Sequence, residues 1–282
     1  MTADPLVSTE WLNAHLADPD LRVLDAAYRM PAMRPPTARE EYAQRHIPGA
    51  AFFDIDAVAD QASALPHMLP SADQFAHDVG ALGITNDDLV VIYDRGDYMG
   101  APRAWWMFAA FGHARVKVLD GGLKKWIADG HAVSAEAVAP HPRAYRARLE
   151  EARVRRIAQL EANLASRAEQ VVDARARERF EGTAVEPWPG RRSGRIPDSR
   201  NVPFNMLINA DATMKSPQEL QAIFREAGVD LARPIVTSCG SGVTAGTLSL
   251  ALARLGVDSA LYDGSWAEWG LPDGPPIAAG PG

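Results

Sequence analysis

Pro234-Ile235-Val236-Thr237-Ser238-Cys239-Gly240-Ser241-Gly242-Val243-Thr244-Ala245 reads as a buried strand, a tight turn and the start of a helix. Pro234 to Ser238 is a short, mostly apolar run, as a strand covered on both faces requires. The two glycines permit backbone that a side chain would obstruct. A helical pattern then runs from Val243 to Arg254. A strand that passes through a glycine turn into a helix is a building unit of parallel α/β sheets.

The turn has a counterpart earlier in the chain. Leu89 to Tyr93 is a second apolar run, and Asp94-Arg95-Gly96-Asp97 follows it, with Asp94 at the position of Cys239. Outward from this pair the halves keep matching. Leu21-Arg22-Val23-Leu24-Asp25 matches Gln170-Val171-Val172-Asp173, and Arg45-His46-Ile47-Pro48-Gly49 matches Gly194-Arg195-Ile196-Pro197-Asp198. Phe111-Gly112 matches Leu255-Gly256. Asp120-Gly121-Gly122-Leu123 with Trp126 matches Asp263-Gly264-Ser265-Trp266 with Trp269. The order is kept and the offsets stay near 143–149 residues. A period this long means two copies of one domain and not a solenoid. The copies are expected over 1–140 and 155–282, joined by the Pro- and Arg-containing stretch from about Ala139 to Arg155.

Strands and helices alternate in each half. Ser8 caps a helix through about Ala17, and Ser71 opens another with Phe75, Val79 and Leu82 at helical spacing. Ser216-Pro217 starts a helix whose apolar stripe is Leu220, Ile223 and Phe224, with proline suited to the first helical position. The fold class is therefore α/β: two tandem domains, each a parallel sheet flanked by helices.

Composition narrows the function. The 282 residues carry 29 Lys and Arg against 36 Asp and Glu, a net charge of −7 with His neutral. This argues against nucleic acid as a general partner, which needs a basic footprint. Arg153, Arg155 and Arg156 stand beside Glu150 and Glu151 and read as a solvated segment. Cys239 is the single cysteine, so an internal disulfide or a CxxC pair is excluded and a reducing compartment fits. The histidines show no paired metal spacing, and no metal site is expected. Met1-Thr2-Ala3-Asp4-Pro5 lacks the basic segment and apolar stretch of a secretory signal. Ala104 to Phe111, the most apolar run, is far too short to span a bilayer. A cytoplasmic protein with no membrane partner is the expectation.

The chemistry is expected at Cys239. Ligands of open α/β sheets bind at the carboxyl ends of the strands. A glycine turn lets backbone N–H groups converge there, and the following helix adds the positive end of its dipole. Both favour a thiolate over a thiol. Three chemistries use such a turn. Gly240-Ser241-Gly242-Val243-Thr244-Ala245-Gly246 reads GxGxxxG, a weak dinucleotide signal placed in the second half of the chain. Phosphate-ester hydrolysis by a cysteine loop needs an arginine six positions after the cysteine, and Ala245 stands there. The third is sulfur transfer.

Cys239-Gly240-Ser241-Gly242-Val243-Thr244 resembles the active-site loop of the 3-mercaptopyruvate sulfurtransferases, in the rhodanese superfamily. The resemblance covers almost the whole chain. It includes His46-Ile47-Pro48-Gly49-Ala50, Phe52-Phe53-Asp54-Ile55-Asp56, His67-Met68-Leu69-Pro70 and Ala101-Pro102-Arg103. It continues through Trp105-Trp106, Arg179-Phe180-Glu181-Gly182-Thr183 and Tyr262-Asp263-Gly264-Ser265-Trp266. It implies that Cys239 carries a persulfide, that the loop from Gly240 to Thr244 cradles it, and that the first domain is an inactive copy forming one wall of a cleft. It also implies a Ser241–His67–Asp56 set for proton transfer, and Arg179 as one of two arginines gripping the donor carboxylate.

Two departures from the family pattern follow, and one contrast with its thiosulfate-using relatives. The position of the second arginine holds Trp188, with Arg191 and Arg192 just beyond as candidates for the same task. The second domain carries Gly194-Arg195-Ile196-Pro197-Asp198 in place of Gly-His-Ile-Pro-Gly. Gly240 and Ser241 stand where thiosulfate-using rhodaneses usually carry Arg and Lys. The expected reaction moves sulfur from 3-mercaptopyruvate to an external acceptor, a thiol such as reduced thioredoxin, or cyanide, with no organic cofactor. A thiosulfate:cyanide sulfurtransferase and a rhodanese-like binding module without turnover stay open as alternatives.

Overall fold

The computed structural model describes residues 4–30 and 35–281; Met1 to Ala3, on which part of the N-terminal reading falls, lie outside them. The strands of the first half are β1 Leu6–Val7, β2 Leu21–Asp25, β3 Ala51–Phe52, β4 Leu89–Tyr93 and β5 Val116–Leu119. Those of the second are β6 Val154–Arg155, β7 Gln170–Asp173, β8 Arg200–Asn201, β9 Ile235–Ser238 and β10 Ala260–Tyr262. They form two five-stranded sheets, ordered β1-β5-β4-β2-β3 and β6-β10-β9-β7-β8. Every pairing between these strands is parallel. The second order is the first with each strand advanced by five, so the repeat read in the sequence is a repeat of topology.

Local chemistry sets the element ends. Ser8, Ser71 and Ser216 each cap a helix by accepting a backbone N–H, starting Thr9–His15, Ala72–Ala81 and Pro217–Glu226. Ser216 and Glu219 complete a capping box, which satisfies two otherwise orphaned donors. The helix expected from Val243 begins at Ala245, because Gly242 holds a left-handed φ of +79° and the turn extends through Thr244. The join follows the first domain: Arg143 and Glu150 donate backbone bonds to Gly80 and Ala110, and Tyr145 meets the Phe75 ring edge-on. It then enters the second sheet as β6.

The apolar core is laid out with the same symmetry. One cluster lies outside each sheet, around Trp126 in the first half and around Trp266 and Trp269 in the second. A third and larger cluster contains residues of both halves, among them Trp105, Trp106 and Phe108 with Leu248, Leu250 and Leu252. Helix Gly100–Ala110 crosses helix Ala245–Arg254 within this shared core. Gly246 makes the crossing close: a Cβ there would lie 2.9 Å from the backbone of Pro102 and Arg103. Reciprocal polar clasps flank it. Asp263 of the second half accepts the Leu69 N–H at 2.7 Å, and Asp120 of the first accepts the Met214 N–H at 2.7 Å. No helix among the described residues is long and apolar enough to cross a membrane.

Candidate active site

Cys239 follows β9 directly and is 1% exposed. Its loop is fixed from behind. The Cys239 N–H donates to Ser265 Oγ at 3.1 Å, and that hydroxyl donates onward to the Tyr262 carbonyl at 2.8 Å. The N–H groups of Trp266 and Ala267, at the start of helix Ser265–Trp269, donate to the carbonyls of Cys239 and Gly240 at 3.0 and 2.7 Å. The next two carbonyls are taken by the first domain. His67 Nδ1 lies 3.3 Å from the Ser241 oxygen, and Arg103 Nη1 donates to the Gly242 oxygen at 3.3 Å.

In a trans peptide the N–H points opposite to the preceding C=O. With the carbonyls of residues 239 to 242 drawn to these donors, the N–H groups of the residues that follow are aimed the other way. None of the N–H groups of Gly240, Ser241, Gly242, Val243 and Thr244 has a protein acceptor among the described residues. They form a nest for an anion at the start of helix Ala245–Arg254, where the dipole adds to the effect.

The first domain's loop explains why it cannot do the same. The Asp94 carboxylate folds back into its own nest, accepting the Gly96 and Ala101 N–H groups at 2.9 and 3.1 Å. Burial, with Asp97 beside it, pushes the Asp94 carboxyl up to about 7. Arg95 pairs with Asp97 at 2.7 Å and reaches Glu41 at 3.4 Å, so this turn is an ion-pair network and not only a solvated loop.

Arg179 reaches the cysteine loop. A Cβ on Gly240 would lie 2.8 Å from Arg179 Nη2, so the glycine leaves the space that the guanidinium occupies. The cation is not free. Nη2 pairs with Glu186 at 2.5 Å, and Glu186 also pairs with Arg175 at 2.8 Å. Arg175 in turn binds Asp173 at 2.7 Å and lies 4.2 Å over the Trp266 ring. Arg179 Nη1 alone has no protein partner among the described residues and is the donor left for a ligand. Glu186 escapes a sequence reading, because nothing in its spacing separates it from a surface acid.

The proton-transfer set is partly assembled. His67 Nε2 lies 3.0 Å from Asp56, and the ring is 3% exposed against 63% for Asp56. Its Nδ1 faces the Ser241 carbonyl and not the Ser241 hydroxyl. Both neighbours are hydrogen-bond acceptors. His67 holds a left-handed φ of +59°, the kind of backbone position that surrounding contacts must impose. Its ring is bracketed edge-on by Tyr28 at 5.2 Å and Trp188 at 6.0 Å. Burial, then Asp56 and Cys239, hold the Tyr28 phenol well above its usual range, so it stays a neutral hydroxyl.

The compensating arginines are placed otherwise than expected. Arg192 Nη2 is committed to the Trp269 and Pro275 carbonyls at 3.0 and 2.8 Å, which fastens the C-terminal segment. Arg191 Nε binds the Ala267 carbonyl at 2.7 Å and its Nη1 the Pro189 carbonyl at 3.0 Å. Arg192 is therefore a structural tie and does not replace the missing cation. Arg191 stays one residue behind the loop, since Ala267 N–H holds Gly240. Trp188 stands as an apolar wall across from His67. Among the described residues no group of His, Cys, Asp or Glu is arranged to hold a metal ion.

The sequence and the fold also have close relatives. A family model described as the rhodanese-like domain matches residues 8–129 and again 157–271. The chain is 46% identical over 273 residues to thiosulfate sulfurtransferase of Cricetulus griseus, covering 94% of this chain and 91% of that one. It is 45% identical over 271 residues to 3-mercaptopyruvate sulfurtransferase of Homo sapiens, with coverage of 94% and 91%. The crystal structure of SseA from Escherichia coli, described as a 3-mercaptopyruvate sulfotransferase, superposes with a TM-score of 0.87 at 38% identity, covering 94% of this chain and 99% of that one.

Proposed function

The chain belongs to the rhodanese family, with two of its domains in tandem, and from that premise we propose that it is a sulfurtransferase that takes sulfur from 3-mercaptopyruvate onto Cys239. The observation that carries this reading is the unpartnered row of N–H groups around a buried cysteine, with Arg179 Nη1 beside it. The Cys239 thiolate attacks the donor sulfur. The S–C bond breaks, and its electron pair leaves with the pyruvate enolate. The proton from the donor thiol passes from the new persulfide to the enolate carbon, giving pyruvate and an anionic persulfide. Proton transfer of this kind is a task for a carboxylate-oriented histidine, and His67 with Asp56 is the pair at hand. The loop N–H groups stabilise the persulfide anion as preorganised donors stabilise an oxyanion. An acceptor thiolate or cyanide then removes the outer sulfur, and a reducing, cytoplasmic setting suits a lone thiol that must stay reduced.

A second reading has its own support, because relatives of equal similarity are named thiosulfate sulfurtransferases. Against it stands the loop. An arginine at position 240 would have to displace Arg179, and none is present. Turnover of the two donors, measured side by side with cyanide as acceptor, decides between them. The proposal expects a higher kcat/KM for mercaptopyruvate; a clear preference for thiosulfate reverses the assignment of donor but not of chemistry.

A further inference from the structure

The proposed chemistry needs a loop whose N–H groups point at the sulfur and an imidazole held near it, and one buried side chain touches the backbone of both. Arg103, on helix Gly100–Ala110 of the first domain, is 0% exposed. Its Nη2 donates to the His67 carbonyl. Its Nη1 donates to the Gly242 carbonyl at 3.3 Å and lies 2.9 Å from Asp263 Oδ1. The guanidinium also lies 4.7 Å over the Trp106 ring. Gly242 is shaped to receive it: a Cβ there would come within 2.9 Å of Nη1, and φ is +79°. Asp263 neutralises the cation and takes the Leu69 N–H, two residues from His67, at 2.7 Å.

We infer that Arg103 is a positioning residue for sulfur transfer, setting the Gly242–Val243 peptide and the His67 segment in one geometry. With the Gly242 carbonyl drawn to Arg103, the Val243 N–H faces the nest. With the His67 carbonyl on the same guanidinium, the backbone that carries the imidazole is fixed against the loop. A fully buried arginine is costly to desolvate, and bonds to acceptors on three separate segments explain its place better than packing alone. Lysine keeps the charge but not the planar fork that spans these acceptors. The inference rests on the proposed sulfur-transfer reading.

The test is a mutant cycle of Arg103→Met and Arg103→Lys, each alone and combined with His67→Gln, in the full chain. Arg103→Met is expected to lower kcat on mercaptopyruvate roughly 10–100-fold, short of the loss caused by deleting a donor outright, with KM within about threefold. Arg103→Lys should fall between it and the wild type. In the Arg103→Met background, His67→Gln should add less than about fivefold, because the ring is already unmoored. Overturning results are a kcat within threefold of wild type, or a His67→Gln penalty equal in both backgrounds. If Arg103→Met does not fold, the lysine variant carries the same cycle. Alkylation of Cys239 by iodoacetamide separates the two claims. A wild type inert toward mercaptopyruvate and thiosulfate defeats the functional reading, while slower alkylation in both Arg103 variants still supports the positioning role and unchanged alkylation removes it.

Discussion

At the residue scale, single atoms decide what the site can hold. Among the described residues Arg179 offers one unpartnered nitrogen, since Glu186 occupies the rest of its fork. Arg179→Ala is therefore expected to cost about 10–100-fold in kcat/KM for mercaptopyruvate, the value of one charge-assisted bond. Glu186→Gln should cost stability first, because it leaves Arg175 buried with a weaker partner; breaking such pairs costs about 3–5 kcal/mol, and thermal unfolding reads it as a lowered Tm. His67→Gln should lower kcat roughly 10²-fold, whereas Ser241→Ala should change it little if the serine acts through its carbonyl. Equal losses in steady-state kinetics for the two variants would restore the hydroxyl relay. Sequence motifs point to Cys239, Arg179, His67 and Asp56, and the structure brings Arg179 and His67 to the Cys239 loop and Asp56 to His67. Glu186, Ser265 and Arg103 were not read as site residues, because each acts through a backbone carbonyl, a backbone N–H or another side chain, and such contacts have no spacing signature. Asp263 lay in plain view inside the repeat, but its role needs the other domain's Leu69 to be seen.

Among the elements, the long strands and capped helices were readable, since continuous apolar runs and Ser caps carry their own signals. The two-residue strands β1, β3, β6 and β8 were not, because their pairing comes from position at a sheet edge and not from local pattern. The crossing of helices Gly100–Ala110 and Ala245–Arg254 is the element-scale feature on which the site depends. Gly246→Ala tests it. Alanine gains up to about 1 kcal/mol of helix propensity, but its methyl meets the backbone of Pro102 and Arg103, and overpacking of this kind costs about 1–3 kcal/mol. Net destabilisation is expected, with a fall in kcat measured well below Tm, since Arg103 is carried on the displaced helix. A Gly246→Ala variant as active and at least as stable as wild type would show that the crossing has slack.

The whole molecule is two copies of one domain that, in the proposed account, have divided the work. The first has a carboxylate in its own anion nest, and its buried acids set a pH response. Burial pushes Asp25 up to about 6 and Asp94 up to about 7, from 3.8. Between 3.8 and these values each of the two carboxyls holds more protons in the folded chain than in the unfolded one, so their contribution to stability is fully present below 3.8 and is lost as pH rises through 6 and 7. Asp94→Asn should flatten the fall in Tm from about pH 5 to pH 8; an unchanged slope would place the response elsewhere. The second copy keeps its nest open around Cys239, and the first supplies His67 and Arg103 to it across the shared core. That division rests on one claim, that Cys239 is the sulfur carrier. Its most direct test is the intact mass of the chain after brief exposure to mercaptopyruvate without acceptor. The account predicts the gain of one sulfur atom, equimolar pyruvate, removal of the added mass by cyanide, and no gain in Cys239→Ser. An unchanged mass in the wild type, or the same added sulfur in Cys239→Ser, would contradict it.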